Sequence, residues 1–427
     1  MINNMFSGID LGTVEDKLIS LNTRMFINQK TIGHYFVQLG ARRVPRGYEI
    51  KLIDHTLPIR ILIEGQAGFG KSVLSRVIEE VFKVDYEING LPHPIFFFDY
   101  KGNYLGFDRR NDNVEHLVTL LERMGFDLTK SAMRIITKPF DMNIYTPAYA
   151  VPDERMDGKL MKELEEEYHI TDLWKINWRN ILDLNWIAQL FKIETNRNWV
   201  AQIQNVFDKI IADESITLEE VIGEGGILEH EINRLTNAQS KKSALAFLEQ
   251  WRKRKYLFDD KDPFAAHVHD DFSYNVLTFN PVYSQQYANQ VCFILAVQSI
   301  VAELQKVKKP SQPLFVFSDA NVCAGKGAPL SKEVTRAILQ IFNGFGRSGN
   351  VGFALIVETQ NIMELSEHLR PTTSTRYTHI FKMEPIIRDF RNNEIKIIKG
   401  RCYVTDMFLG IKDLEIVVRP PFTKYYG

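Results

Sequence analysis

Eight consecutive residues constrain this 427-residue chain more than any other feature: Gly65, Gln66, Ala67, Gly68, Phe69, Gly70, Lys71 and Ser72 satisfy the pattern G-x-x-x-x-G-K-[ST]. The apolar run at 61–64 predicts a buried strand just before them, and Val73, Leu74, Val77, Ile78, Val81 and Phe82 follow at helical spacing. Strand, glycine loop and helix in that order form a cradle for phosphate. The glycines let successive backbone N–H groups point inward, and the helix adds the positive end of its dipole. The binding set runs from Gly65 to Val73. Within it Lys71 is expected to reach the β and γ phosphates, and Ser72 to offer its hydroxyl to Mg²⁺, which takes hard oxygen ligands.

Further strand-like runs lie at 95–98, 134–136, 276–279, 314–317 and 353–357, most separated by helical patterns. That alternation predicts an α/β fold with a largely parallel sheet covered by helices. Short apolar runs at 379–383, 395–398, 401–404 and 415–418 predict a C-terminal antiparallel extension. Between 153 and 268 no parallel strand is signalled. Trp199, Ile203, Val206 and Ile210 are spaced 4, 3 and 4, and Trp174 and Trp178 sit one turn apart, so a helical insertion is expected. The division is then 1–60, a short N-terminal region; 61–150, the first part of the core; 151–268, the insertion; and 269–427, the second part with the C-terminal strands. The charge runs at 162–167 and 252–255 read as solvated helix faces.

Composition narrows the partners. Hydrophobic residues make up 45% and charged residues 25%, an ordinary globular balance, and 52 basic against 53 acidic side chains leave no global basic field to draw nucleic acid or membrane. Cys292, Cys323 and Cys402 are too few and too scattered for a disulfide framework or a zinc site, which suggests a reducing compartment. No stretch reaches the roughly 18 uninterrupted apolar residues of a membrane span, so a cytoplasmic location is expected. His267 and His269 form a pair with no third ligand nearby, and an exposed loop is expected there.

A phosphate loop needs an acidic group at the tip of a nearby strand. Asp319, preceded by Ser318, stands just past the run at 314–317, and Gln360 follows the run at 353–357, where its amide can meet a γ-phosphate or the attacking water. Between them the glycine loop at 344–349 exposes Arg347, a candidate finger for a neighbouring subunit, with Arg370 and Arg376 as rivals.

Taken together, GQAGFGKS, IFFFDYKGNY, LFVFSDAN, GRSGNVGFALIVETQN and the terminal run from THIFKM to RPP resemble the HerA/FtsK superfamily of P-loop ATPases, in the family's order over about 61–145 and 270–420. The resemblance implies a RecA-like P-loop core and a Mg²⁺-dependent ATPase that assembles as a ring, with six subunits as the expected number. It also implies translocation of double-stranded DNA in conjugation or genome packaging, with an accessory nuclease, a portal or a secretion channel as further partners. A motor for protein secretion or pilus assembly, and a nucleotide-binding assembly protein with little turnover, are the alternatives. In the family's register Asp319 falls on the water-polarising position and Ser318 on the metal-shell position, where relatives usually carry an acid. Asn103 stands where relatives often have Glu, and Asp99 is the nearby carboxylate expected to compensate. For DNA the candidates are Arg42, Arg43 and Arg46 and the run at 252–255. The first 60 residues are too few for the full N-terminal barrel of HerA-type relatives.

Overall fold

The computed structural model describes residues 25–27, 31–39, 42–49, 59–89, 94–104, 126–128, 140–151, 158–193, 197–270, 273–307, 313–343, 353–371, 377–383, 401–407 and 410–418. Their main sheet contains β1 (Thr31–Leu39), β2 (Arg42–Glu49), β3 (Arg60–Gly65), β4 (Ile95–Asp99), β5 (Met142–Pro147), β6 (Asp172–Trp174), β7 (Tyr274–Thr278), β8 (Leu314–Phe317), β9 (Ala354–Thr359), β10 (His379–Met383), β11 (Arg401–Asp406) and β12 (Ile411–Val418). The spatial order is β2-β1-β12-β11-β10-β3-β9-β8-β4-β7-β5-β6. From β10 to β6 every pairing is parallel, and from β10 back to β2 every pairing is antiparallel. The strand that enters the glycine loop, β3, is therefore separated from the acid-bearing strand β8 by β9. This order, with β10 on the other side of β3, is that of a RecA-like P-loop core.

Helices cover both faces, as a parallel sheet requires. They are α1 (Lys71–Asn89), α2 (Gly158–Tyr168), α3 (Leu184–Leu190), α4 (Arg197–Ile211), α5 (Leu218–Ile222), α6 (Ile227–Asn233), α7 (Ala238–Lys253), α8 (Pro263–Ala266), α9 (Gln286–Lys306), α10 (Ala320–Ala324) and α11 (Ser331–Asn343). On one face α1 packs over β3 and β9, and β1 packs against α1. On the other, Phe96 stacks on Phe315 and Phe98 on Phe317 across β4 and β8, with Phe264 of α8 edge-on to Phe96 and Phe98 and Phe293 of α9 tilted against Phe98 and Phe317. Among the described residues α9 is the one helix long and apolar enough to cross a membrane; most of its apolar window is buried, against α3, α8 and α11.

Several expectations are corrected. Trp174 lies in β6 and Trp178 opens a 3₁₀ turn, so their spacing is not that of one helix. β6 extends the parallel sheet beyond β5, inside the segment expected to be helical throughout; it pairs Tyr145 with Asp172 and Pro147 with Trp174. A hydroxyl hook reinforces that edge, since Thr171 Oγ1 accepts from Ile144 N and donates to Ile144 O, both at 2.9 Å. His267 is not in an exposed loop: its ring meets the Tyr145 hydroxyl at 2.9 Å and Asp270 at 2.7 Å. The hairpin of β1 and β2 joins the main sheet by pairing β1 with β12. The expected strands at 134–136 and 395–398 lie outside the described residues.

The remaining helical expectation holds for α4, where Trp199, Ile203 and Ile210 are buried. In the basic run at 252–255 Lys253 and Lys255 are exposed, as a solvated face requires, but Arg252 and Arg254 are half-buried and engaged. Arg252 donates to the carbonyls of Ile222 and Gly223 and pairs with Glu229. Arg254 bonds Gln250 and lies over the Phe191 ring, and Lys255 pairs with Glu219. Arg252 thus ties α7 to the end of α5 and to α6, and Lys255 reaches back to α5.

Candidate nucleotide site

The site assembles at the C-terminal tips of adjacent parallel strands, where loops from β3, β9, β8 and β4 meet. At the tip of β3, Gly65 is required by packing: a Cβ there would lie 2.6 Å from Met383 Cβ and 2.8 Å from Met383 O on β10. Gly68 and Gly70 take φ of +83° and +97°, a conformation that L side chains rarely adopt. The loop then turns directly into α1 at Lys71, so the first-turn N–H groups have no intrahelical acceptor and open onto the loop. Lys71 is only 7% exposed, and its Nζ donates to Gln66 O at 3.3 Å. Burial pushes its pKa down, and the Lys101 charge acts in the same direction, while Glu358 and Asp319 oppose the shift.

Facing the loop is Asp319, held at φ +46° and ψ +47° immediately after β8. The left-handed backbone is uncommon outside glycine, though Asp tolerates it better than most residues. Its carboxylate meets Lys101 Nζ at 3.2 Å, Asn103 Nδ2 at 3.4 Å and Gln360 Nε2 at 3.5 Å. Gln360 is fixed from the other side, because its backbone N–H donates to Asn321 Oδ1 at 3.3 Å. Asn103 also donates to the Ser318 hydroxyl at 2.9 Å. Thus Lys71, Asp319, Gln360 and Ser318 are gathered in one place, together with Lys101 and Asn103.

Asp99 has a different position. Its oxygens accept from the N–H groups of Gly102 at 2.7 Å and Asn103 at 2.9 Å, and from the Thr278 hydroxyl at 3.0 Å. Burial pushes its pKa up to about 6 against those hydrogen bonds. The carboxylate shapes the loop that presents Lys101 and Asn103. Arg76, one turn into α1, donates to Asn103 O at 3.2 Å and ties the same loop to the phosphate helix. Arg370 donates to the carbonyls of Met363 and Leu365, and Arg347 and Arg376 lie outside the described residues.

Sequence reasoning did not single out Lys101 or Glu358 as members of the site, and it marked Asn103 only as a departure from the family's pattern. For Lys101 and Asn103 the signal was the turn-forming DYKGN segment after an apolar strand. For Glu358 it was a carboxylate ending an otherwise apolar run. The donor set fits a nucleotide-bound Mg²⁺ by its chemistry: hydroxyls at Ser72 and Ser318 and a carboxylate at Asp319 are hard oxygen ligands. Among the described residues no group of three or more His, Cys, Asp or Glu side chains is arranged to hold a metal ion unaided.

No family model matches the chain, and no curated protein matches it. Solved structures do align over most of its length. The plasmid coupling protein TrwB with a non-hydrolysable GTP analogue is 11% identical, with 88% of this chain and 92% of that one covered and a TM-score of 0.42. VirB4 of Thermoanaerobacter pseudethanolicus is 10% identical over 91% of this chain and 96% of that one, with a TM-score of 0.48. The pCW3 conjugation coupling protein TcpA, in a monomer form with ATPγS, is 10% identical over 96% of this chain and 71% of that one, with a TM-score of 0.30.

Proposed function

We propose that the chain is an ATPase that works as a ring-forming motor and moves double-stranded DNA. The observation that carries the ATPase reading is the convergence of a buried lysine in a glycine cradle with Asp319 and Gln360, on strands separated as in a RecA-like core. ATP binds with its phosphates on the loop from Gly65 to Val73; Ser72, Ser318 and Asp319 would hold Mg²⁺, which would supply positive charge to the phosphates. Lys71 places its ammonium against the β and γ phosphates. Asp319 accepts a proton from the attacking water, and Gln360 orients that water by its amide. Lys101, whose side chain is 35% exposed, sits on one Asp319 oxygen and sets where the carboxylate points. Asp99 acts through its loop as a positioning residue.

The order of the motifs supports the ring and the DNA cargo, with Arg347 acting across the subunit boundary. The basic run at 252–255 does not add to that support, because Arg252, Arg254 and Lys255 are engaged within the chain. A nucleotide-binding role with little turnover is the second reading, favoured by the serine at 318 and by the partners that crowd Asp319. The test is the ATPase rate with and without duplex DNA, measured alongside solution mass. Stimulation by duplex in an oligomer is expected; hydrolysis that ignores DNA of every form sinks the translocase reading. In mixtures, Arg347→Ala and Lys71→Ala subunits, each inactive alone, are expected to recover activity together.

A further inference from the structure

Glu358 is 1% exposed, and neither of its carboxylate oxygens has a hydrogen-bond partner among the described residues. Leaving a carboxylate buried and unmatched is costly, and such a group in a folded protein calls for an absent water, ion or ligand. Its surroundings narrow the choice. On β9 it alternates with Val357 and Thr359, on the face that α1 covers. The Ser75 hydroxyl of α1 lies close to it but donates to Glu79 at 2.9 Å. The charges that act on it most are those of Asp319 and Lys71.

The register supplies the second observation. Phe317 of β8 pairs with Val357 of β9, which brings Ser318 level with Glu358 on neighbouring parallel strands, about 4.8 Å apart. Ser318 is the residue whose hydroxyl faces the site where a carboxylate is expected, and its partner is the neutral Asn103 amide. The missing negative charge and the unmatched one are therefore side by side.

We propose that Glu358 supplies, from the adjacent strand, the carboxylate that position 318 lacks, and that it accepts hydrogen bonds from the water shell of a nucleotide-bound divalent cation. The inference rests on the nucleotide reading above and assigns the cation side of that site to a residue in the body of β9. Two consequences separate Glu358 from a purely structural acid. Its neutral isostere weakens the cation's contribution to nucleotide binding without weakening cation-free binding, and a carboxylate returned to position 318 restores it.

The experiment measures binding of a fluorescent ATP analogue to the full chain, first in EDTA and then through a Mg²⁺ titration. Wild type, Glu358→Gln, Ser318→Asp and the double variant are compared after thermal melts confirm folding. For Glu358→Gln the affinity in EDTA is expected to be unchanged or tighter, with the Mg²⁺ midpoint raised tenfold or more. Adding Ser318→Asp is expected to bring that midpoint back to within about threefold of wild type, a recovery well above the usual non-additivity of neighbouring sites. An unchanged midpoint in Glu358→Gln overturns the proposal, as does a raised midpoint that Ser318→Asp leaves where it was. Should Glu358→Gln fail to fold, Glu358→Asp withdraws the charge by one methylene and carries the same test, with a smaller rise expected and an unchanged midpoint equally fatal. Failure of wild type to bind the analogue, with or without Mg²⁺, sinks the nucleotide reading instead.

Discussion

Arg252, Arg254 and Lys255 at the end of α7 and Lys71, Lys101 and Asp319 at the strand tips are both dense concentrations of charge, but the fold uses them in opposite ways. In the helical segment the cations are matched locally: two backbone carbonyls and Glu229 for Arg252, Gln250 for Arg254, Glu219 for Lys255. At the strand tips, among the described residues, Lys71 has a single loop carbonyl at 3.3 Å, Asp319 shares contacts of 3.2 to 3.5 Å with three side chains from two other loops, and the Glu358 carboxylate beneath them has no hydrogen-bond partner. Matched charge braces a structure. Charge left short of partners in a buried place marks where a ligand completes the set.

If that contrast is right, removing a strand-tip charge changes chemistry far more than stability. The largest effect is expected for Lys71→Ala, which abolishes hydrolysis. Lys71→Arg nearly does so, because a planar guanidinium does not replace a compact ammonium enclosed by the loop. A turnover assay decides it, and wild-type rates in either variant break the assignment. Next in size is Asp319→Asn, expected to keep nucleotide binding while lowering turnover by roughly 10² or more, the scale of a lost general base. Binding and turnover measured on one preparation test the split, and Ser318→Asp beside it, expected to hold or raise activity, tests the register.

Much of the strand-tip site was legible because each part follows its own apolar strand: Lys71 after 61–64, Asp319 after 314–317, Gln360 after 353–357. What the sequence did not disclose is which tips touch. Asn103 meets Ser318 and Asp319 across more than 200 residues, a pairing set by the order β9-β8-β4 and not by any local pattern. The edge strands were missed for a physical reason too. Met142–Pro147 and Asp172–Trp174 are short and partly polar, and they are held by pairing and by Thr171 more than by an apolar run. Arg252 to Lys255 read as a solvated face because helical periodicity says nothing of the carbonyls at a neighbouring helix end. Likewise the β1–β2 hairpin depends on β12, nearly 400 residues away, for its place in the sheet.

The other side of the contrast predicts the reverse behaviour. Arg252→Ala is expected to lower Tm by several degrees while leaving the ATPase rate per folded molecule unchanged. It removes charged hydrogen bonds that satisfy the carbonyls of Ile222 and Gly223 at the end of α5. Melts and turnover measured together separate the outcomes. A loss of DNA-stimulated turnover with no change in Tm would return this arginine to the nucleic-acid candidates.

The smallest expected effect concerns pH, and it tests whether Glu79, buried in α1, is neutral at rest. Glu79 of α1 is fully buried and accepts from Tyr274 and Ser75; burial pushes its pKa up to about 8, against those two hydrogen bonds. In the unfolded chain the same group titrates near 4.3. Between those values the folded state holds a proton that the unfolded state has released, so folding stability falls as pH rises through this window and is highest below it. Glu358, pushed up by burial to about 7, acts in the same direction. Denaturant midpoints are therefore expected to decline from pH 5 to pH 8, and Glu79→Gln, which cannot ionise, is expected to flatten the decline by on the order of 1 kcal/mol, with relaxation and water entry discounting the full shift. A wild-type midpoint that rises across the window, or a Glu79→Gln slope identical to wild type, would mean that Glu79 carries its charge in the folded protein. The cations above it, Lys71 first, would then be better matched than the comparison with α7 holds them to be.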